Sequence, residues 1–208
     1  MKQKIFYCLI LSTFILSGCF GRSVESELSS VINDLNKAET KYNETQVLLI
    51  DMETKEQKFF NDVMGLTQKQ YDQLLMKVVE MEEMLVKRVQ LIEQEKASME
   101  EAHKLLKEFD PIISTLEGQE KSKVEQLKEA FDDRYALHST FVIAYEKLTT
   151  LQKELYEMIA VKDTHLPKLQ EKVKQVNDQN ERVQSAIDAF NNSTVNINQL
   201  KDEVFSVF

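Results

Sequence analysis

The sequence predicts an all-α fold, an elongated antiparallel bundle of about four long helices, and three observations predict it. Apolar residues recur at alternating steps of three and four, the seam of helices that pack lengthwise. Glycine and proline, the usual interrupters, are scarce: four glycines and two prolines in 208 residues, with no tryptophan. Beyond the N-terminal segment they fall at three separated places, Gly65, Pro111 to Gly118, and Pro167. No stretch shows the period-two alternation of a half-buried strand. Glu, Lys, Gln, Leu and Val dominate, a composition suited to long helices.

Residues 1–18 have the form of a secretory lipoprotein signal. Lys2 and Lys4 supply positive charge, and Ile5 to Leu16 is mostly apolar. That run is too short to span a bilayer, which takes ~20 helical residues, but it suits a signal h-region. It ends in Leu16-Ser17-Gly18-Cys19, a lipobox: small residues give the peptidase a slim backbone, and the thiol reaches a lipid donor. Cleavage is expected between Gly18 and Cys19, with a diacylglyceryl group on the Cys19 sulfur. Two acyl chains anchor stably where one is marginal. Cys8 leaves with the signal and Cys19 is blocked, so no thiol remains for a disulfide, metal or nucleophile. Losing Lys2 and Lys4 takes the formal charge from −9 to −11. Such a surface repels nucleic acid and anionic headgroups.

Residues 19–23 form a tether, and the bundle domain covers 24–208. Ser23 is placed to cap a first helix through Val24, Leu28, Val31, Leu35, Tyr42, Leu49, Met52, Phe59 and Val63, its seam interrupted at Glu56. Gly65 ends it, and Thr67 with Gln70 offers the next capping box. The second helix carries Leu74, Val78, Met81, Leu85, Ile92, Met99, Leu106 and Phe109, with Arg88 and Glu95 in seam positions. Asp110-Pro111 reads as an N-cap followed by proline at the first helical position. A third helix after Gly118 runs through Val124, Leu127, Phe131, Phe141, Tyr145, Leu148, Leu155 and Ile159, interrupted by Arg134, His138 and Gln152. The break at Asp163 to Pro167 precedes a fourth helix through Leu169, Val173, Val176, Val183, Ile187, Phe190, Ile197 and Val204, with Asn180 and Thr194 in the seam. Each segment has about forty residues, or roughly 60 Å, and short connections make neighbours antiparallel.

Folding each helix back on its predecessor brings Glu95 level with Arg134 or His138, and Gln152 level with Asn180. These pairs predict two polar layers, one charged and one of amides, that set register more than stability. Chemistry is otherwise sparse. His103, His138 and His165 are far apart in sequence, and Glu100 with His103 is a lone Glu-x-x-His where a di-metal bundle needs two. No phosphate loop or nucleophile elbow is present, and methionines at helical spacing suit core filling. No enzyme activity, metal or cofactor is expected.

The anchor gives the bundle a direction. The breaks at Gly65 and at Thr164 to Pro167 should meet at the far tip, where Met64, Leu66, His165 and Lys168 are candidate contacts for wall polymer or a partner. Closing the end of the core is the plainer use for these residues.

A lipobox followed by about 190 acidic, heptad-patterned residues with a mid-chain Asp-Pro break resembles the YkyA-type cell-wall-binding lipoproteins of Gram-positive bacilli. The resemblance covers the whole chain, although Leu16 to Cys19 is its one discrete motif. It implies attachment to the outer face of the cell membrane and association with peptidoglycan, and carries over no residue but Cys19. The resulting expectation is a non-catalytic structural or binding module meeting peptidoglycan or an envelope protein. The alternative is an accessory lipoprotein for ligand binding, envelope stress or transport that docks a membrane protein through its helical tip. The oligomeric state is left open.

Overall fold

The computed structural model describes residues 23–66 and 68–208. The signal segment, Gly18 and Cys19 lie outside them, as does Thr67 of the expected capping box. Six α-helices occur among the described residues: α1 (Val24–Ala38), α2 (Thr40–Met64), α3 (Tyr71–Lys104), α4 (Phe109–Ser114), α5 (Gly118–Ile159) and α6 (Leu166–Phe205). Since α1 with α2 and α3 with α4 each follow one path, these make the four long rods of an antiparallel bundle.

The rod ends follow local chemistry. Ser23 caps α1, its hydroxyl accepting from the Ser26 amide at 3.2 Å, and Glu25 and Glu27 complement the positive end of the first turn. Gly65 closes α2. Pro167 sits in the first turn of α6, where a missing N–H costs nothing.

Asp110-Pro111 does not cap a new helix or turn the chain. Leu105–Glu108 tightens into a 3-10 turn and α4 continues through both residues. Pro111 is tolerated because the first-turn amides of a helix have no intrahelical acceptor in any case. The reversal comes at Thr115 to Glu117, and Gly118 leaves it with φ +56°, the left-handed region that favours glycine.

The α1–α2 break at Glu39 is unforeseen by the seam. The Ser98 hydroxyl on α3 donates to the Ala38 carbonyl at 2.6 Å and accepts from the Tyr42 amide at 3.2 Å. It stands between the two groups that would otherwise join as i to i+4, and a side chain inserted into that ladder bends a helix.

Three apolar clusters lie along the rod. The first joins Leu28, Leu35, Phe109, Leu127, Phe131 and Val204 at the end that continues toward Cys19. The second, in the middle, contains Leu49, Ile92, Phe141, Leu148 and Ile187. The third joins Val63, Met81, Leu85, Leu155 and Ile159 at the opposite end. In the bundle α2 lies along α3, α3 against α5 and α5 along α6, whereas the α2 and α6 backbones stay apart and meet through side chains such as Tyr42 and Phe190, ring centres 5.6 Å apart.

Candidate functional site

Charged and hydroxyl groups interrupt the described core in three layers, each joining at least one seam residue to groups on other rods. Nearest the N-terminal end, Arg134 donates to both carboxylate oxygens of Glu39 (2.6 and 2.9 Å) and through Nε to Thr194 Oγ1 at 3.0 Å. Tyr135 donates to Glu39 at 2.7 Å, and the guanidinium lies 4.6 Å from the centre of the Phe190 ring. The Ser98-induced break places Glu39 here, because an uninterrupted helix would turn that position differently. Burial pulls the Arg134 pKa down, but Glu39 more than offsets it and the net shift is upward.

In the next layer His138 Nε2 lies 2.7 Å from Glu95 Oε1, and Gln46 donates to Glu95 Oε2 at 2.6 Å. Tyr42, Phe141 and Phe190 surround the imidazole, and the Glu95 side chain is fully buried. Of the two partners expected for Glu95, His138 is therefore the one that meets it.

The third layer contains the pair that seam reasoning overlooked. Arg88, 2% exposed, donates through Nη1 to Glu56 and to Gln152 Oε1 (3.1 Å), and through Nε to the Tyr145 hydroxyl at 2.8 Å. Tyr156 donates to Glu56, and Tyr145 to Glu53 Oε1 at 2.7 Å. Glu56 and Arg88 each interrupt a seam on successive rods, but folding about Gly65 brings Glu56 level with about residue 74; the connection extends through the 3-10 turn Gln68–Gln70, which shifts the register toward Arg88. Burial raises the Tyr145 and Tyr156 pKa values, with the Glu53 and Glu56 carboxylates adding to it. For Arg88, burial opposes the charge, but Tyr145, Glu56 and Glu53 together push the pKa up.

The expected Gln152–Asn180 layer does not form. Gln152 is taken by Arg88, Asn180 is exposed, and its buried neighbour Gln179 donates to the Ala144 carbonyl at 2.9 Å. The exchange is local, because the later seam residues Val183, Ile187, Phe190, Ile197 and Val204 remain buried.

Beside the third layer a cavity of about 310 Å³ separates α2 from α6. Leu49, Phe60, Leu148 and Val183 supply apolar wall, Gln57, Asn177 and Gln184 supply carboxamides, and the Arg88 network forms the polar part of its lining.

The predicted tip residues share one end of the rod. Val63 and Ile159 pack in one cluster, and Tyr71 donates to the Ala160 carbonyl at 2.6 Å, tying the two connections together. Met64, His165 and Lys168 are exposed and Leu66 is half-buried. His165 and Lys168 line a shallow depression with Met158, Pro167, Glu171 and Lys172, whereas Met64 and Leu66 lie outside it.

Among the described residues no three His, Cys, Asp or Glu side chains are grouped to hold a metal ion. No helix among them is long and apolar enough to cross a membrane. The arrangement is suited to holding register and to binding.

Residues 23–207 match the model of the YkyA family, described as "Putative cell-wall binding lipoprotein". The chain is 23% identical over 192 residues to the uncharacterized lipoprotein YkyA of Bacillus subtilis (strain 168), covering 92% of this chain and 86% of the relative. It also resembles the crystal structure of a conserved protein of unknown function from Staphylococcus aureus. That match has a TM-score of 0.73 at 16% identity, with 88% of this chain and 92% of the other covered. At that identity the likeness speaks to the fold alone.

Proposed function

Because the chain belongs to the YkyA family, we propose that it is a lipid-anchored, non-catalytic module on the outer face of the cell membrane that associates with peptidoglycan. In this reading residues 1–18 are removed, Cys19 carries the diacylglyceryl group, residues 19–23 tether the rod, and residues 24–208 hold the tip above the bilayer.

The observation that carries it is polarity of shape. The end of α1 that continues to Cys19 shares a core with α4 and the C-terminal part of α6. Met64, Leu66, His165 and Lys168 are at the other end, and α6 alone, Leu166–Phe205, measures roughly 60 Å. An anchored rod of that length presents its tip, with Lys168 exposed on it, to the wall.

Two variants test the reading. Cys19→Ala should move the protein from the membrane fraction to the culture fluid; continued membrane association would overturn the anchor. Purified peptidoglycan should retain the wild-type protein, and Met64→Glu combined with Lys168→Glu should reduce that retention. Unchanged retention would remove the tip from the proposal, and retention instead by a membrane-protein fraction would replace the wall as partner.

A further inference from the structure

The cavity between α2 and α6 has a polar composition unusual for a gap in a bundle core, and its groups are unequally satisfied. Arg88 is hydrogen-bonded at Nη1 to Glu56 and Gln152 and at Nε to Tyr145, while Nη2 makes a looser ion pair with Glu53 at 3.5 Å. Glu56 is engaged at both oxygens, by Arg88 and Tyr156. Glu53 differs. Its contacts with Tyr145 and Arg88 are both made by Oε1, and its side chain is 45% exposed. Two carboxyl groups therefore meet one guanidinium, with Glu53 the accessible partner.

Ligand classes separate on this chemistry. An anion would meet, among the described lining residues, a single guanidinium already faced by two carboxylates. An acyl chain would cover the second Glu53 oxygen, Oε2, without giving it a partner, and burying an unsatisfied polar atom is costly. A helix, ~10–12 Å across, exceeds a space at the lower end of the ~300–1,000 Å³ usual for ligand sites. An ammonium group on a short apolar stem matches the lining: charge for Glu53, methylenes against Leu148 and Val183. The Asn177 carboxamide, and the carbonyl oxygens and second amide protons of Gln57 and Gln184, whose nitrogens also donate to Asn61 and Asp188, offer the paired donor and acceptor that a peptide bond requires.

We propose that this cavity binds a short extended peptide through a free side-chain ammonium, Glu53 accepting the ammonium and the carboxamides the flanking peptide groups. The source is an un-cross-linked wall peptide, whose diamino residue keeps its amine until cross-linking consumes it. The site is argued from its own geometry; the assignment of its source rests on the wall-associated reading above.

Calorimetry on full-length protein in non-ionic detergent tests it, with a synthetic Ala-γ-Glu-Lys-Ala peptide, its Nε-acetylated counterpart and cadaverine as probes. The free-amine peptide should bind, and acetylation should weaken binding about tenfold or more, the scale of one charge-assisted hydrogen bond. Glu53→Gln should produce a similar loss while keeping the Tyr145 hydroxyl bonded, and Asn177→Trp, which fills the cavity from α6, should abolish binding. Lys168→Glu should bind as wild type does, separating this site from the tip. Thermal melts establish that each variant is folded. Absence of binding by wild type, equal binding of the acetylated peptide, or an indifferent Glu53→Gln overturns the site. Cadaverine binding as tightly as the peptide overturns the peptide assignment. Peptide binding without retention by purified peptidoglycan keeps the site and overturns the wall as its source.

Discussion

The two halves of the rod solve one problem differently. In the half nearer the N-terminus, Tyr42, Phe141 and Phe190 pack on His138 and Phe190 on Arg134; Gln46 and Phe141 reach the cavity, but Glu39, Arg134, Glu95 and His138 do not line it. In the distal half, the Glu56–Arg88 layer is as deeply buried but adjoins the cavity between α2 and α6. A buried charge that loses its partner among aromatic rings has no substitute. Beside a cavity large enough for several waters it can be resolvated. Equal burial in the two halves therefore conceals unequal tolerance, and the tolerant half is the one with room for a ligand.

The largest test removes a guanidinium from each half. Arg134→Leu leaves Glu39 buried with the Tyr135 hydroxyl but no cation and no adjoining cavity, and should cost roughly 3–5 kcal/mol, as for other broken buried pairs. Arg88→Leu strands Glu56 beside the cavity and should cost about 2 kcal/mol, because water can enter. Urea titrations of both variants decide, and equal costs would break the comparison.

Next come the tyrosines. Tyr135, Tyr145 and Tyr156 titrate above the ordinary phenol value of 10, first through burial and then through Glu39, Glu53 and Glu56 respectively. Above pH 10 the unfolded chain releases phenolic protons that the folded chain retains. Their stabilisation is thus complete below pH 10 and declines as pH rises toward the folded values, at about 1.4 kcal/mol per pH unit for each tyrosine. Tyr145→Phe with Tyr156→Phe should remove about twice as much of this alkaline loss as Tyr135→Phe. Urea midpoints at pH 9 and pH 11 measure it, and a larger effect from Tyr135 would reverse the assignment of the two halves.

The smallest effect belongs to Asn180, at the rim of the cavity. Being exposed and outside the polar layers, Asn180→Leu should change stability by less than about 0.5 kcal/mol. A larger loss in a thermal melt would restore the amide layer that the structure does not contain.

Legibility varied with how local the cause was. Gly65, Gly118 and Pro167 mark real boundaries because backbone freedom and a missing N–H act within a few residues. Glu95 and His138 could be paired because one short connection joins their rods and little drift accumulates across it. Ser98 gave no warning: a serine is unremarkable within a helix, and its effect falls on a backbone 56 residues away. Asp110-Pro111 misled because proline suits a helical first turn whether or not the chain reverses there. Met64, Leu66, His165 and Lys168 did reach one end of the rod, but the depression gathers only the last two.

From the amino-acid order alone came the number and length of the rods, the chain reversals and the lipobox pattern. These depend on periodicity and backbone chemistry, which operate over one or two helical turns. Tertiary packing chose Glu39 for Arg134 and Glu56 for Arg88, exposed Asn180 in favour of Gln179, and left α2 apart from α6. Those outcomes depend on the rotation and axial stagger of helices against one another, which decide the side chain that faces inward.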